Sequence, residues 1–308
     1  MKFICAQPAI DYYAWQVEVM INNFVRNGVD PRDIQIVCAH YGSVPDNWIK
    51  MTEYYSDVKF FYYLDDRVKA GYIPSIRPHI LYKHWLENPE LEKETIFYHD
   101  CDIILSKKID LKNLLSDDIC YVSDTVSYIG ANYIKGKGEH YLDLMSKLVN
   151  VNKDFIIGQE NNSGGAQYIL KNIPTEFWKK VYYDAENLYR LVTNQIRKDK
   201  AANPNLHEIQ IWCADMWAVL WNLWFFGKEV RVTARLQFSW ATSSIISWDA
   251  CPIYHNAGVT GHGQGLFYKG GYINKLPYDI DIESFTPNQC SYKYAEEIIK
   301  TREVSCLI

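Results

Sequence analysis

The chain lacks every spacing by which cysteines usually announce a metal or redox role. Its eight cysteines form no Cys-x-x-Cys pair and no zinc pattern. Cys5, Cys38 and Cys120 lie instead in apolar, strand-like runs, where reduced cysteine packs as a small hydrophobe, and this favours a reducing compartment. No Gly-x-Gly-x-x-Gly follows the first strand-like segment and no Walker loop occurs, which disfavours dinucleotide and P-loop chemistry. No signal peptide or membrane anchor is legible, so the sequence predicts a cytoplasmic protein with no membrane partner, in the host cytoplasm if viral. The terminal Ser305-Cys306-Leu307-Ile308 places its cysteine one position too late for a prenylation box. Excess positive charge is also missing. A formal net charge of -5 over 308 residues argues against nucleic-acid binding by bulk electrostatics, though not against a local basic groove. There is no internal repeat and no low-complexity linker. The simplest organisation is a single domain over 1–308, in two halves at 1–125 and 126–308.

What is present is an ordinary globular balance, 48% hydrophobic and 22% charged, with a generous 10 Trp and 24 Tyr. Most of these rings belong to cores, but exposed ones also stack on sugars and bases. Apolar runs at Lys2–Gln7, Asp33–His40 and Val58–Leu64 predict strands. Helical periodicity covers Asp11–Asn27, stopped by Gly28, and a helix capped by Asp46 runs through Tyr55. Pro78 suits the first turn of a helix to Glu87. Such alternation predicts an α/β, Rossmann-like fold, a mostly parallel mixed sheet flanked by helices, with ligands beyond the carboxyl ends of the strands. Further on, Gly136-Lys137-Gly138 predicts a turn or mobile loop. Gln159–Gly165 is polar and flexible, Glu176–Asp199 is a long helix, and Ile209–Phe226 is a buried helix.

The centre of this plan is Thr95–Leu105. Ile96, Phe97, Tyr98, Ile103, Ile104 and Leu105 form an apolar run of strand length, interrupted by His99-Asp100-Cys101-Asp102. Burying two anions there is unfavourable unless something compensates them. With no Lys or Arg in the stretch, a hard divalent cation such as Mg²⁺ or Mn²⁺, shared with substrate phosphates, is the natural candidate. A strand ending in a solvated acidic turn is the plain alternative.

Four further features accompany the acidic pair. The glycine-rich segment from His255 to Gly271 holds His262 and Lys269; its imidazoles suit a metal and its amides and ammonium suit phosphate, or it is a surface loop. Asn162-Ser163-Gly164-Gly165 is a small polar turn fit for sugar hydroxyls, or an ordinary loop. Asp215, on an apolar helix, is a general base, a hydroxyl ligand or half of a buried ion pair. Arg77, beside Pro78, meets an anion at a helix start or closes a salt bridge.

Together these features resemble nucleotide-sugar glycosyltransferases of the GT-A type. Tyr13-Ala14-Trp15-Gln16 with Met20 and Phe24, Arg77-Pro78 with Trp85-Leu86, and the strand ending in Asp100-Cys101-Asp102 resemble the hydroxyproline O-arabinosyltransferase and peptidyl-serine galactosyltransferase group over about the first third of the chain. His255-x-x-Gly258 followed by Lys269 is similar to the C-terminal His-x-x-Gly-x-x-Lys element of retaining members, with a longer interval, and Asn162-Ser163-Gly164 to their Asn-x-Gly donor-sugar element. The resemblance implies Mn²⁺ or Mg²⁺ held by Asp100, Asp102 and His255. It implies a UDP-sugar met by Ala6, Gln7, Tyr12, Tyr13, Arg77, Cys101 and Lys269, with Asn162, Ser163, Gly164 and Gly165 on the donor sugar. Transfer would go to a hydroxyl of a protein, a glycan or a hydroxymethylated pyrimidine in DNA, with retention of configuration. If configuration inverts, Asp215 is the catalytic base. Plant members carry secretory anchors that are not seen here, and Cys101 stands where proline is common.

Three function classes follow. The first is the metal-dependent glycosyltransferase. The second is a carbohydrate-binding or scaffolding protein on a degenerate transferase fold. The third is a phosphohydrolase, for which only Asp65-Asp66 supplies further carboxylates. A DNA acceptor would draw on Lys135, Lys137, Arg190, Arg197, Lys198 and Lys200, a run equally suited to a solvated helix face.

Overall fold

A computed structural model describes residues 1–68 and 70–308. Among these residues the strands are β1 (Lys2–Pro8), β2 (Ile34–His40), β3 (Lys59–Leu64), β4 (Thr95–His99), β5 (Ile103–Leu105), β6 (Cys120–Asp124), β7 (Gly164–Lys171), β8 (Val230–Val232), β9 (Phe238–Trp240) and β10 (Ile253–His255). Seven form one sheet in the order β3-β2-β1-β4-β7-β6-β8, and three form a second, β5-β10-β9. The α/β, mostly parallel mixed sheet expected from the sequence is thus present. The chain divides into two compact units: Met1–Leu64 with Tyr98–Asn113 and Arg235–Ile308, and Asp65–Phe97 with Leu114–Ala234.

In the first unit β1 pairs parallel with β2, and β2 with β3. Apart from one end residue each, β1 and β2 are buried throughout, which is why they read as continuous apolar runs rather than alternating ones. The helix Asp11–Arg26 buries Trp15, Val19, Met20 and Phe24, and Gly28 then adopts φ 86°, a conformation glycine adopts without steric cost. On this helix Glu18 is fully buried. Its carboxylate accepts from Tyr278 Oη, Tyr55 Oη, Ser305 Oγ and the Cys306 amide, so the burial is compensated by donors. Asp46 does not cap its helix. Pro45 takes the cap position and makes no side-chain bond there, while Asp46 sits in the first turn, where a carboxylate favours the positive end of the helix.

In the second unit β6 pairs antiparallel with β7, with a register shift between Val122 and Ser123, and parallel with β8. Helix Thr175–Ala202 packs against both Ile76–Glu87 and Ala214–Phe225, and Ala214–Phe225 packs against β7. Trp85 meets Trp178 edge-on at 5.5 Å and donates to the Ile173 carbonyl at 3.1 Å. Trp217 donates to the Ile129 carbonyl at 2.8 Å. Pro78 is the third residue of its helix rather than its start. Gly136 and Lys137 belong to the helix Ala131–Lys137, and the break falls at Gly138, whose φ is 150°. The polar segment before β7 forms a 3-10 turn over Glu160–Asn162 followed by buried Ser163. Of the expected helix Ile209–Phe226, only Ala214–Phe225 is α-helical, preceded by a 3-10 turn over Ile211–Cys213. Among the described residues no helix is long and apolar enough to cross a membrane.

Candidate functional site

The apolar run around the acidic pair is two strands, not one. β4 ends at His99, the chain turns through Asp100-Cys101-Asp102, and β5 continues in the second, smaller sheet. β10 lies antiparallel to β5 with His255 opposite Ile103, and the Asn256 amide donates to the Asp102 carbonyl at 2.9 Å. This local ladder carries an imidazole from far along the chain to the acidic turn.

Three side chains meet there. His255 Nε2 stands 3.3 Å from Asp102 Oδ1 and 3.6 Å from Asp100 Oδ2. One ligand atom from each of Asp100, Asp102 and His255 lies within 4.8 Å of the others. Lys269 donates its ammonium to Asp102 Oδ2. Asp102 and His255 are buried at 6% and 8% exposure, while Asp100 is half-buried. Trp240, on the neighbouring β9, stacks on the His255 ring at 5.8 Å and 16°. The one sequence signal for Trp240 was the alternation Phe238-Ser239-Trp240 on a short strand.

The electrostatics follow from this packing. Burial by itself would raise the Asp102 carboxyl, but Lys269 and His255 outweigh it and hold the group well below the usual carboxylate range. Burial would lower the Lys269 ammonium, yet Asp102 overcomes that and raises it. Burial pushes the Cys101 thiol up, so it stays a neutral spacer. Tyr12, half-buried, feels both Lys269 and Asp102, with burial raising its phenol overall. Two carboxylates and an imidazole within 4.8 Å make an O, O, N donor set of the kind Mn²⁺ and, less readily, Mg²⁺ accept. The residues fit such an ion.

The remaining predicted residues fall as follows. Ala6 and Gln7 are buried in β1, and Gln7 turns its amide nitrogen toward the Val37 carbonyl at 3.4 Å and Cys38 Sγ at 3.3 Å. Tyr13 packs edge-on against Tyr12 at 4.9 Å. His262 packs against Tyr268 at 4.9 Å. In the second unit, Asn162 donates to Gln159 Oε1 at 3.0 Å. Gly164 and Gly165 open β7 so tightly that a Cβ would come 2.3 Å from the Ser123 carbonyl oxygen and 2.7 Å from Tyr168 Oη respectively. Arg77 lies 3.7 Å from Asp215, which also accepts from Tyr72 Oη at 2.8 Å. Both of the outcomes offered for Arg77 and Asp215 as a structural pair are therefore realised in outline, at a separation longer than a direct charge-assisted bond.

Asp65 and Asp66 are engaged differently. Asp65 accepts from the Arg67 guanidinium at 2.9 and 3.0 Å, and Asp66 meets His79 at 2.8 Å and Lys83 at 2.7 Å. This leaves a phosphohydrolase without its extra carboxylates. Of the lysines and arginines considered for DNA, Lys200 pairs with Glu208, Arg190 donates to Asn187, and Lys137 lies over the Tyr133 ring.

No family model and no curated protein matches the chain. Among solved structures it is similar to the WbbM bifunctional glycosyltransferase, at 12% identity and TM-score 0.46 over 96% of this chain and 51% of that one. It is similar to the galactosyltransferase LgtC in complex with donor and acceptor sugar analogues, at 9% identity and TM-score 0.45 over 99% of this chain and 96% of that one. It is also similar to the glycosyltransferase GlyE of Streptococcus pneumoniae, at 13% identity and TM-score 0.42 over 100% of this chain and 62% of that one. The chain thus spans about half the length of WbbM. At such identities and scores no residue role and no substrate passes from these proteins to this chain.

Proposed function

We propose that the protein is a metal-dependent glycosyltransferase that moves a sugar from a UDP-sugar to a hydroxyl acceptor with retention of configuration. The observation that carries this is the meeting of Asp100, Asp102 and His255 with Lys269 at the end of β4. Asp100, Asp102 and His255 would hold Mn²⁺ or Mg²⁺, which when bound neutralises the diphosphate as its charge grows. Lys269 supplies a second positive group for the departing nucleotide, and its raised pKa keeps it cationic at any physiological pH. Buried Asp102 stays ionised for the same reason. Trp240 fixes the His255 ring by stacking, which orients Nε2 toward the carboxylates. Tyr12, beside Lys269, is the side chain best supported for contact with the nucleotide. Ala6, Gln7, Tyr13, Arg77 and Cys101 belong to the same proposal with less geometric support, as do Asn162, Ser163, Gly164 and Gly165 for the donor sugar.

The test is a panel of UDP-sugars screened for metal-dependent hydrolysis and thermal stabilisation. A ligand present at about 100 times its Kd adds about 2.7 kcal/mol of stability, so UDP with Mn²⁺ is expected to raise the melting temperature, and Asp102→Asn to abolish that rise. No response of the wild-type protein to UDP with Mn²⁺ would refute the proposal. A carbohydrate-binding protein without transfer predicts sugar binding but no UDP-sugar hydrolysis.

A further inference from the structure

Behind the acidic turn runs a buried hydrogen-bond network that lies entirely within the first unit. Alternation along β10 turns Tyr254 away from His255. His255 stacks on Trp240, whereas Tyr254 stacks on Tyr294 of the helix Cys290–Arg302 at 5.4 Å and 25°. Tyr254 is fully buried and donates its hydroxyl to Asn256 Oδ1 at 3.0 Å. Asn256, also buried, extends the ladder between β10 and β5 by one bond, from its amide to the Asp102 carbonyl at 2.9 Å. In the other direction, the Ser291 hydroxyl hydrogen-bonds with the Tyr254 phenol and accepts from the Phe267 amide at 2.7 Å, two residues before Lys269. The network therefore joins the three segments that carry Asp102, His255 and Lys269. Asn256 Nδ2 is buried with no acceptor among the described residues, a desolvation cost that an apolar residue chosen for packing would not incur.

We propose that Tyr254 and Asn256 are positioning residues of the cation site, holding Asp102 and His255 in register for a divalent ion. The inference rests on the metal centre of the proposed transferase and adds the residues that set its geometry. A cation shared by two carboxylates and an imidazole needs its ligands within about 0.5 Å of place, and Asp102 sits in a turn rather than in a strand. Its carbonyl is held by the Asn256 amide, and Asn256 is held by the Tyr254 hydroxyl. His255 lies between those two residues, so one side-chain bond fixes both flanks of the imidazole together with the turn it faces. Such outer partners orient the ligand atoms without touching the ion.

The experiment titrates the intact protein with Mn²⁺ in the presence of UDP, reading free ion by electron paramagnetic resonance. Wild type, Tyr254→Phe, Asn256→Ala and the double variant are compared. Tyr254→Phe keeps the ring stack and removes only the hydroxyl. Tyr55→Phe is the control, because it removes a phenol that donates to buried Glu18 elsewhere in the same unit. Each single variant is expected to weaken Mn²⁺ binding by about tenfold, the lower end of what losing an outer partner costs. The double variant is expected to lose no more than the weaker-binding single one, as residues acting through one bond do. Tyr55→Phe stays within about twofold of wild type. Three results overturn the proposal and leave the metal centre standing: either single variant binds Mn²⁺ within about twofold of wild type, the two losses add in the double variant, or Tyr55→Phe loses as much. A wild-type protein that binds no Mn²⁺ overturns the metal centre, and the positioning role with it.

Discussion

Two of the acidic pairs in this chain, Asp65-Asp66 and Asp100-x-Asp102, are built to different plans. Asp65 and Asp66 are bonded directly. The guanidinium of Arg67 takes Asp65 at 2.9 and 3.0 Å, and Lys83 and His79 take Asp66 at 2.7 and 2.8 Å. Asp100 and Asp102 instead share one imidazole at 3.6 and 3.3 Å, longer than a charge-assisted bond, with their ligand atoms ringed around a common centre. Direct bonding makes the first pair part of the scaffold. The spaced ring of the second suits a shared cation, and Lys269 on the far oxygen of Asp102 keeps the cluster from carrying two uncompensated anions.

The comparison breaks first on Asp102. Asp102→Ala is expected to reduce UDP-sugar turnover by about 10²-fold or more, the usual result of removing one group that meets developing charge; turnover within a few-fold of wild type would remove Asp102 from the site. Asp65→Ala is the counterpart. It removes the carboxylate that compensates the Arg67 guanidinium, whose side chain is 7% exposed and is left with neutral acceptors, the Tyr72 and Ile73 carbonyls and Ser75 Oγ. The change is expected to cost about 3–5 kcal/mol in urea unfolding, while UDP binding by the folded protein is unchanged. Weakened UDP binding at unchanged stability would reverse the two roles.

Two histidines sharpen the contrast through pH. Burial depresses both His84 and His99 to about 4. As pH falls, the unfolded chain takes up these protons first, near its ordinary pKa of about 6.5. Their contribution to stability is therefore fully present above pH ~6.5 and lost as pH falls toward ~4, by up to about 3 kcal/mol each. His84→Gln is expected to flatten the acid limb of stability against pH, and parallel limbs in variant and wild type would exclude His84 as a cause. The smallest effect belongs to Lys83→Met, because Asp66 is 54% exposed; surface pairs contribute about 0–1 kcal/mol, and a larger loss would show that this pair too is structural to its core.

Much of this was legible in the residues. The alternation of apolar runs with helical periodicity announced the α/β sheet, and the acidic pair within an apolar run pointed to the cluster that Asp100 and Asp102 form with His255. The break between β4 and β5 was not legible, because Ile96–Tyr98 and Ile103–Leu105 are equally apolar and periodicity does not register a change of sheet. Gly138 rather than Gly136 ends its helix because only the former takes a positive φ, which composition alone does not reveal. Partnerships that join distant segments were beyond reach for the same reason: Asp215 finds Tyr72 across 143 positions, and Glu18 finds Tyr278 across 260.

The most direct test is a Mn²⁺ titration of the intact protein with UDP present, followed by electron paramagnetic resonance, on wild type, Asp102→Asn and Asp65→Asn. A single site that is lost in Asp102→Asn and kept in Asp65→Asn is the predicted result. A wild-type protein that leaves all the Mn²⁺ free, or binds it equally well without the Asp102 carboxylate, would contradict the metal centre and the transferase chemistry built on it.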